Sequence, residues 1–281
     1  MRNDFAVFIL SHGRANNVIT ARTLAAKKYS GKWYVVIDDE DDQEEAYRRN
    51  FGDRVIQFNK KEIAQKFDTM DTQEDRRTIV YARNACFEIA KKIGVRYFLE
   101  LDDDYKEFEF RYIERDKLKT KSCEKLDDLF SAMIDFLIES GADTVALAQG
   151  GDFIGGCKSG TYSKKVLRKA MNTFFCDAEK PFKFVGRINE DVNTYTVLGS
   201  VGWLGLTITD ASIVQMQTQN NKGGMSGVYI DSGTYLKSFY SVMGMPSAVK
   251  IAAMGDKNMR IHHNVSWEHC VPMILNERWR K

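Results

Sequence analysis

Short apolar, β-rich runs alternate with stretches of helical periodicity through the first half of the chain, and few folds tolerate that rhythm. Strands joined through crossover helices lie parallel, and a parallel sheet must be covered on both faces. The candidate strands are Phe5–Leu10, Trp33–Ile37, Val55–Phe58, Tyr97–Leu101 and Thr144–Ala148. Between the third and fourth, Ile79, Ala82, Cys86, Ile89 and Ile93 recur on one helical face, and Gly94 follows as a left-handed terminator. A second helix, from Glu124 to Ser140, carries Leu126, Leu129, Phe130, Met133 and Leu137 as its apolar stripe and stops before Gly141. Both stripes read as core. The expected fold class is α/β, with a mostly parallel Rossmann-like sheet and helices on both faces. With 43% apolar residues among 281, the chain has ample material for that core.

The second half changes character. Gly150, Gly151, Gly155, Gly156 and Gly160 interrupt it, and the strand candidates Leu204–Thr209 and Ile213–Gln217 look antiparallel. A boundary falls near Gln149, but with three prolines and no Ser/Gly-rich linker the lobes 1–149 and 150–281 are expected to share one continuous sheet. The six-residue apolar run at Phe5–Leu10 is too short to span a membrane and lacks a signal-peptide cleavage pattern, so the chain reads as soluble and cytoplasmic. Five scattered cysteines without a CxxC pair suggest neither a disulfide framework nor a zinc ribbon. A net charge of +2 carries no general polyanion-binding signature.

The sharpest chemical feature is Leu99-Glu100-Leu101-Asp102-Asp103-Asp104, an apolar strand ending in three consecutive carboxylates. In an open α/β sheet, ligands gather at the carboxyl ends of strands. Adjacent acids repel unless a cation neutralises them, and residues two apart share a side of an extended chain, so Asp102 and Asp104 are candidate ligands for Mg²⁺ or Mn²⁺. Alone, the triplet is better explained as a solvated acidic turn, because charge runs usually face water. The run Asp38–Glu45 also follows a strand; most of its seven acids should face solvent, while Asp38 or Asp39 could accept hydrogen bonds from a nucleobase or ribose. Ser11-His12-Gly13-Arg14 directly follows the first strand, and its Ser11 and Arg14 suit phosphate oxygens, although the Lys-Ser/Thr ending of a Walker A loop is missing. Arg83 stands on what reads as the polar side of the first helix, where an ordinary surface arginine is the simpler account. Glu190 and Asp191 adjoin at a helix start, where one serves as a cap and the other is a candidate general base. His262 and His263 should point to opposite sides of an extended segment, leaving at most one for a metal.

Taken in order, the Ser-His-Gly-Arg loop, Ile37-Asp38-Asp39, Ala82-Arg83-Asn84, the Asp102-Asp103-Asp104 version of a DxD motif and Asn189-Glu190-Asp191 resemble a nucleotide-sugar glycosyltransferase of the GT-A fold. More narrowly, the chain resembles the phage TET-associated glycosyltransferases, a family linked to glycosylation of 5-hydroxymethylcytosine in DNA. The resemblance implies a donor-binding lobe over 1–149 and an acceptor-binding, catalytic lobe over 150–281. It implies a UDP-sugar donor, Asp102 on ribose or sugar, and Asp104 on Mn²⁺ or Mg²⁺ with Asp103 in support. Asp38 or Asp39 would hold uridine, Arg83 the base or diphosphate, and His262 would complete the metal shell. Asp191 or Glu190 would be the base.

A carboxylate-held cation acts as a Lewis acid on a departing diphosphate, with Arg83 or Arg14 adding support. Asn220–Gly227 has the glycine content of a lid. Arg111–Lys125 holds six basic and three acidic residues with Tyr112, and Lys250–Lys281 has the same balance with Trp267 and Trp279. Such stretches could track DNA phosphates or be solvated surface. Competing readings keep the fold with a protein or glycan acceptor, make the acids Asp102, Asp104 and Glu190 a metal-dependent phosphodiesterase, or leave a non-catalytic DNA-binding module.

Overall fold

The computed structural model describes residues 1–216, 235–254 and 259–272. The elements run β1 (Phe5–Leu10), α1 (Ile19–Ala26), β2 (Lys32–Asp38), α2 (Glu44–Phe51), β3 (Val55–Phe58), α3 (Lys60–Ala64), α4 (Val80–Lys92) and β4 (Tyr97–Asp102). There follow β5 (Tyr105–Glu114), β6 (Lys117–Ser122), α5 (Leu126–Ser140), β7 (Thr144–Ala148), α6 (Gly160–Ser163), β8 (Val166–Leu167) and β9 (Phe174–Asp177). The chain continues through α7 (Glu190–Val197), β10 (Gly205–Gln215), α8 (Leu236–Gly244), β11 (Val249–Met254) and β12 (Arg260–Val265).

Ten strands form one sheet in the order β3-β2-β1-β4-β9-β7-β10-β5-β6, with β8 on β10, while β11 and β12 pair separately. The first four strands are parallel. Beyond β4 the sheet is mixed, because β9 runs antiparallel to both β4 and β7. Strands from the two halves of the chain therefore interleave, and the fold is the expected α/β class with a Rossmann-like parallel part.

β1 shows why both faces must be covered. All six of its residues are buried; Phe5, Val7 and Ile9 join one core cluster with α1 and α5, and Ala6, Phe8 and Leu10 join another with α4. A strand that is apolar at every position has no solvent face. The helix ends match the expected terminators, with Gly94 at φ +73° and Gly141 at φ +67°. Among the described residues all five cysteines are free, and four of them are buried.

Two expectations need correction. Leu204–Thr209 and Ile213–Gln217 are not separate antiparallel strands but one strand, β10, which pairs in parallel with β7 from Gly205 to Ile208 and antiparallel with β5 from Ala211 onward. The exposed Asp210 between them reads as a turn in sequence; it sits where the register shifts, paired with Lys165. The helix carrying Arg83 has no polar side at that turn, since Arg83, Asn84 and Cys86 are all buried.

Phe130 anchors the larger core through ring contacts with Phe5, Tyr29, Phe108 and Phe175 and is fully buried. Phe130→Ala is expected to cost about 3–5 kcal/mol in urea unfolding. Ile138→Ala, on the solvent side of α5, should change stability by less than about 0.5 kcal/mol.

Candidate active site

The carboxyl ends of β1, β2 and β4 lie side by side, with Leu10 paired in register to Asp102, where the strand order turns from β2-β1 to β4. That is the crevice position favoured for ligands in such sheets. The acidic turn there is built by the main chain. Thr20 of α1 donates its hydroxyl to the Asp102 carbonyl at 2.6 Å and accepts from the Tyr105 amide at 2.9 Å, and its own amide donates to the Asp103 carbonyl at 3.1 Å.

The three aspartates face different partners. Asp103 is 3% exposed; Ser11 Oγ donates to its Oδ2 at 2.6 Å and Arg14 Nη1 to its Oδ1 at 2.7 Å. Ser11 and Arg14, expected at phosphates, are thus engaged with the acidic turn itself. Asp102 stays 25% exposed at its side chain, and its Oδ1 accepts from Arg83 Nη2 at 3.1 Å. Burial pushes the Asp102 carboxyl up to about 7 against the pull of Arg83, and the charges of Asp104, Glu190 and Asp103 push the same way. Burial, then the charge of Asp103, pushes Asp104 up to about 6.

The loop after β1 is held by the acidic run after β2. Gly13, at φ +66°, donates its amide to Asp41, and the Arg14 amide donates to Tyr47 Oη at 2.9 Å. His12 Nδ1 donates to Asp38 Oδ2 at 2.8 Å, and Lys60 Nζ lies 3.1 Å from Asp38 Oδ1. Asp38 is buried and both of its oxygens are taken, whereas Asp39 is exposed and accepts from the Lys60 amide. The partly exposed side chain on this edge of the crevice is His12, which the sequence shows only as a member of its loop motif; the signal available for it is the acid at the end of the neighbouring strand. The hydrogen bond to Asp38 raises the His12 pKa above 6.5 against the cost of burial.

Arg83 is the largest departure from expectation. It is no surface arginine: it is 2% exposed, over the Phe174 ring, and reaches three carboxylates, Glu190 at 3.0 Å, Asp102 at 3.1 Å and Glu100 at 3.5 Å. Burial alone would lower its pKa, but Asp102, Glu190 and Glu100 together raise it. Glu100 is pushed up to about 8 by burial despite Arg83. Glu190 is buried against Arg83, whereas its neighbour Asp191 is partly exposed, accepts from the Val192 amide and is pushed up to about 6 by burial and by the charge of Glu190. Buried Arg187 fixes the approach to α7 by pairing with Asp71 at 2.8 Å and donating to Tyr240 of α8 at 3.0 Å.

His262 does not join the aspartates. Among the described residues no three His, Cys, Asp or Glu side chains gather as a metal shell. On β12, His262 Nδ1 donates to the His263 carbonyl at 2.9 Å, and the two rings lie 4.3 Å apart rather than on opposite sides. The Asn220–Gly227 stretch lies outside the described residues, as does part of Lys250–Lys281.

Arg83→Met should destabilise the fold by about 3–5 kcal/mol in urea titrations, because it leaves buried carboxylates without their counter-charge. For His12 the sign runs from its raised pKa: the ionised pair with Asp38 stabilises fully below the ordinary value of 6.5 and fades as pH rises through the raised value. Melting curves of wild type and His12→Gln should therefore differ most in mild acid and converge in alkali.

Among the described residues no helix is long and apolar enough to cross a membrane. No curated protein sequence matches the chain at a significant level. Among solved structures, the chain is similar to a mannose-1-phosphate geranyltransferase from Thermus thermophilus, at 10% identity and a TM-score of 0.31. That alignment covers 64% of this chain and 58% of that one, so the chain spans less than two thirds of its length. A second similar structure is a protein assigned as a UDP-N-acetylglucosamine pyrophosphorylase from Entamoeba histolytica, at 9% identity and a TM-score of 0.30, covering 94% of this chain and 69% of that one. Residues 5–224, which include the crevice, its acidic turn and the Glu190-Asp191 helix, match the sequence model of the TET-Associated Glycosyltransferases, and the chain belongs to that glycosyltransferase family.

Proposed function

We propose that this glycosyltransferase is metal-dependent and moves a sugar from a UDP-sugar to the hydroxyl of 5-hydroxymethylcytosine, or a related hydroxymethyl pyrimidine, in phage DNA. The observation that carries the reading is the placement of two part-exposed carboxylates, Asp102 at the end of β4 and Asp104 just beyond it, at the crevice. Two hard oxygen donors on one acidic turn suit Mg²⁺ or Mn²⁺, which keep water and substrate phosphates in their remaining positions. His262 is left out of the proposed site, which rests on Asp102 and Asp104. Bound there, the cation would neutralise charge developing on the diphosphate.

The chain's own residues supply the rest. His12, braced by Asp38, faces the donor side where the base or ribose would lie. Arg83 acts as a brace between the acidic turn and α7 rather than as a contact to the diphosphate. Asp191 is the general base, since it is partly exposed and burial with the charge of Glu190 raises its pKa to about 6, while Glu190 is tied to Arg83. In an inverting displacement the acceptor hydroxyl gives its proton to Asp191. Its oxygen bonds to the anomeric carbon as the bond from that carbon to the diphosphate oxygen breaks, the electron pair leaving with UDP.

Purified protein with Mn²⁺ and labelled UDP-sugars, offered matched DNA with and without hydroxymethylcytosine, should label only the modified DNA. Asp104→Asn should lower transfer about 100-fold or more while the melting curve is kept, the scale expected when several kcal/mol of charge stabilisation are lost. Label on neither DNA defeats the acceptor assignment; label on a protein or glycan in its place supports that acceptor instead.

A further inference from the structure

The hairpin β5–β6 leaves the crevice directly, since Tyr105 begins it one residue after Asp104. It forms the last two strands of the sheet, so β6 is an edge. Residues directly opposite one another on antiparallel strands share a face. The pairs Phe110↔Lys121, Tyr112↔Lys119 and Glu114↔Lys117 therefore place three lysines in one row beside two aromatic rings. All three lysines are exposed, and Phe110 and Tyr112 are 41% and 42% exposed.

The opposite face is covered near Arg111, while Ile113 farther out is 51% exposed. Arg111 lies over the Phe153 ring at 4.4 Å and pairs with Glu109, and the Tyr162 hydroxyl donates to the Arg111 carbonyl at 3.4 Å. At the tip, Cys157 Sγ contacts the Asp116 carbonyl. The hairpin is thus supported from one side, with its lysine face left open. The acids at its base are already committed, Glu107 and Glu124 to Lys27. Lys117, Lys119 and Lys121 have no ion-pair partner among the described residues.

We infer that this lysine face is a docking surface for the phosphodiester backbone of a nucleic acid, with Phe110 and Tyr112 offering stacking faces to its bases. The inference rests on the proposal that the acceptor is DNA, and locates where the strand outside the crevice would run. Alternate residues on a strand recur about every 6.8 Å, so the row presents three charges over about 14 Å. Phosphates of one DNA strand rise about 3.4 Å each, which puts one lysine at roughly every second phosphate. Exposed rings beside a cationic row are the combination that binds nucleic-acid strands without reading sequence.

The test compares wild type with the triple variant Lys117→Gln, Lys119→Gln, Lys121→Gln and the triple Lys→Arg variant. Binding to a labelled oligonucleotide is measured by fluorescence anisotropy over a salt series. For a single-stranded oligonucleotide each lost phosphate contact flattens the slope of log affinity against log salt by about 0.7, so the Gln variant should be shallower by about 2.1 and the Arg variant unchanged. Calorimetric UDP binding and melting temperature should match wild type in both. If the triple Gln variant melts early, the three single Gln variants should each flatten the slope by about 0.7, and unchanged slopes there overturn the proposal. Equal slopes in a wild type that glycosylates DNA overturn the surface and leave the acceptor assignment standing. A wild type that neither binds nor modifies DNA removes both. Lysines on an edge strand also deter sheet-to-sheet association. Self-association of the Gln variant with an unchanged slope, or loss of binding to phosphatidylserine vesicles in place of DNA, would overturn the proposal in favour of those roles.

Discussion

A single guanidinium joins three segments that the chain brings from far apart. Arg83 projects from α4 and meets Glu100 and Asp102 of β4 and Glu190 of α7. A buried cation is tolerable only when carboxylates surround it, and buried carboxylates only when a cation does. The acidic turn and the Glu190-Asp191 step are therefore fixed relative to one another by mutual need. Burial favours the neutral form of Glu100 despite Arg83, while Asp102 and Glu190 are the acids of this set that border the crevice.

The donor side is organised by a second network, centred on hydrogen bonds. Asp103 is fixed by Ser11 and Arg14, Gly13 by Asp41, and His12 by Asp38, which Lys60 also neutralises. Groups that look in sequence like free ligand contacts spend their hydrogen bonds on shaping the loop. Shaping of this kind fixes the geometry of a site before substrate arrives.

Much of this fold could be read from periodicity. β1 and β7 fall where apolar runs placed them, because a strand buried on both faces shows itself in sequence as a nearly unbroken apolar run. The β5–β6 hairpin could not be read that way. Its residues are mostly charged, and its turn is Arg115-Asp116, both at positive φ, instead of the Asn-Gly type that signals such a hairpin. At the site, the acids ending β4 were legible because strand ends are ligand positions. Arg83 reads in sequence as a surface residue because its burial comes from the Phe184 and Glu190 region, about a hundred residues later, and no local pattern reports a distant cover. The place of His262 on β12 likewise depends on pairing with β11, not on its neighbours in sequence.

Thr20 carries a different lesson. By bonding to main-chain atoms on both sides of the Asp-Asp-Asp turn, it sets the path of that turn through atoms every residue type possesses. The contour of the crevice floor is thereby separated from the identity of the side chains standing on it. Selection can retune which ions or sugars the floor attracts, one aspartate at a time, while the floor keeps its shape.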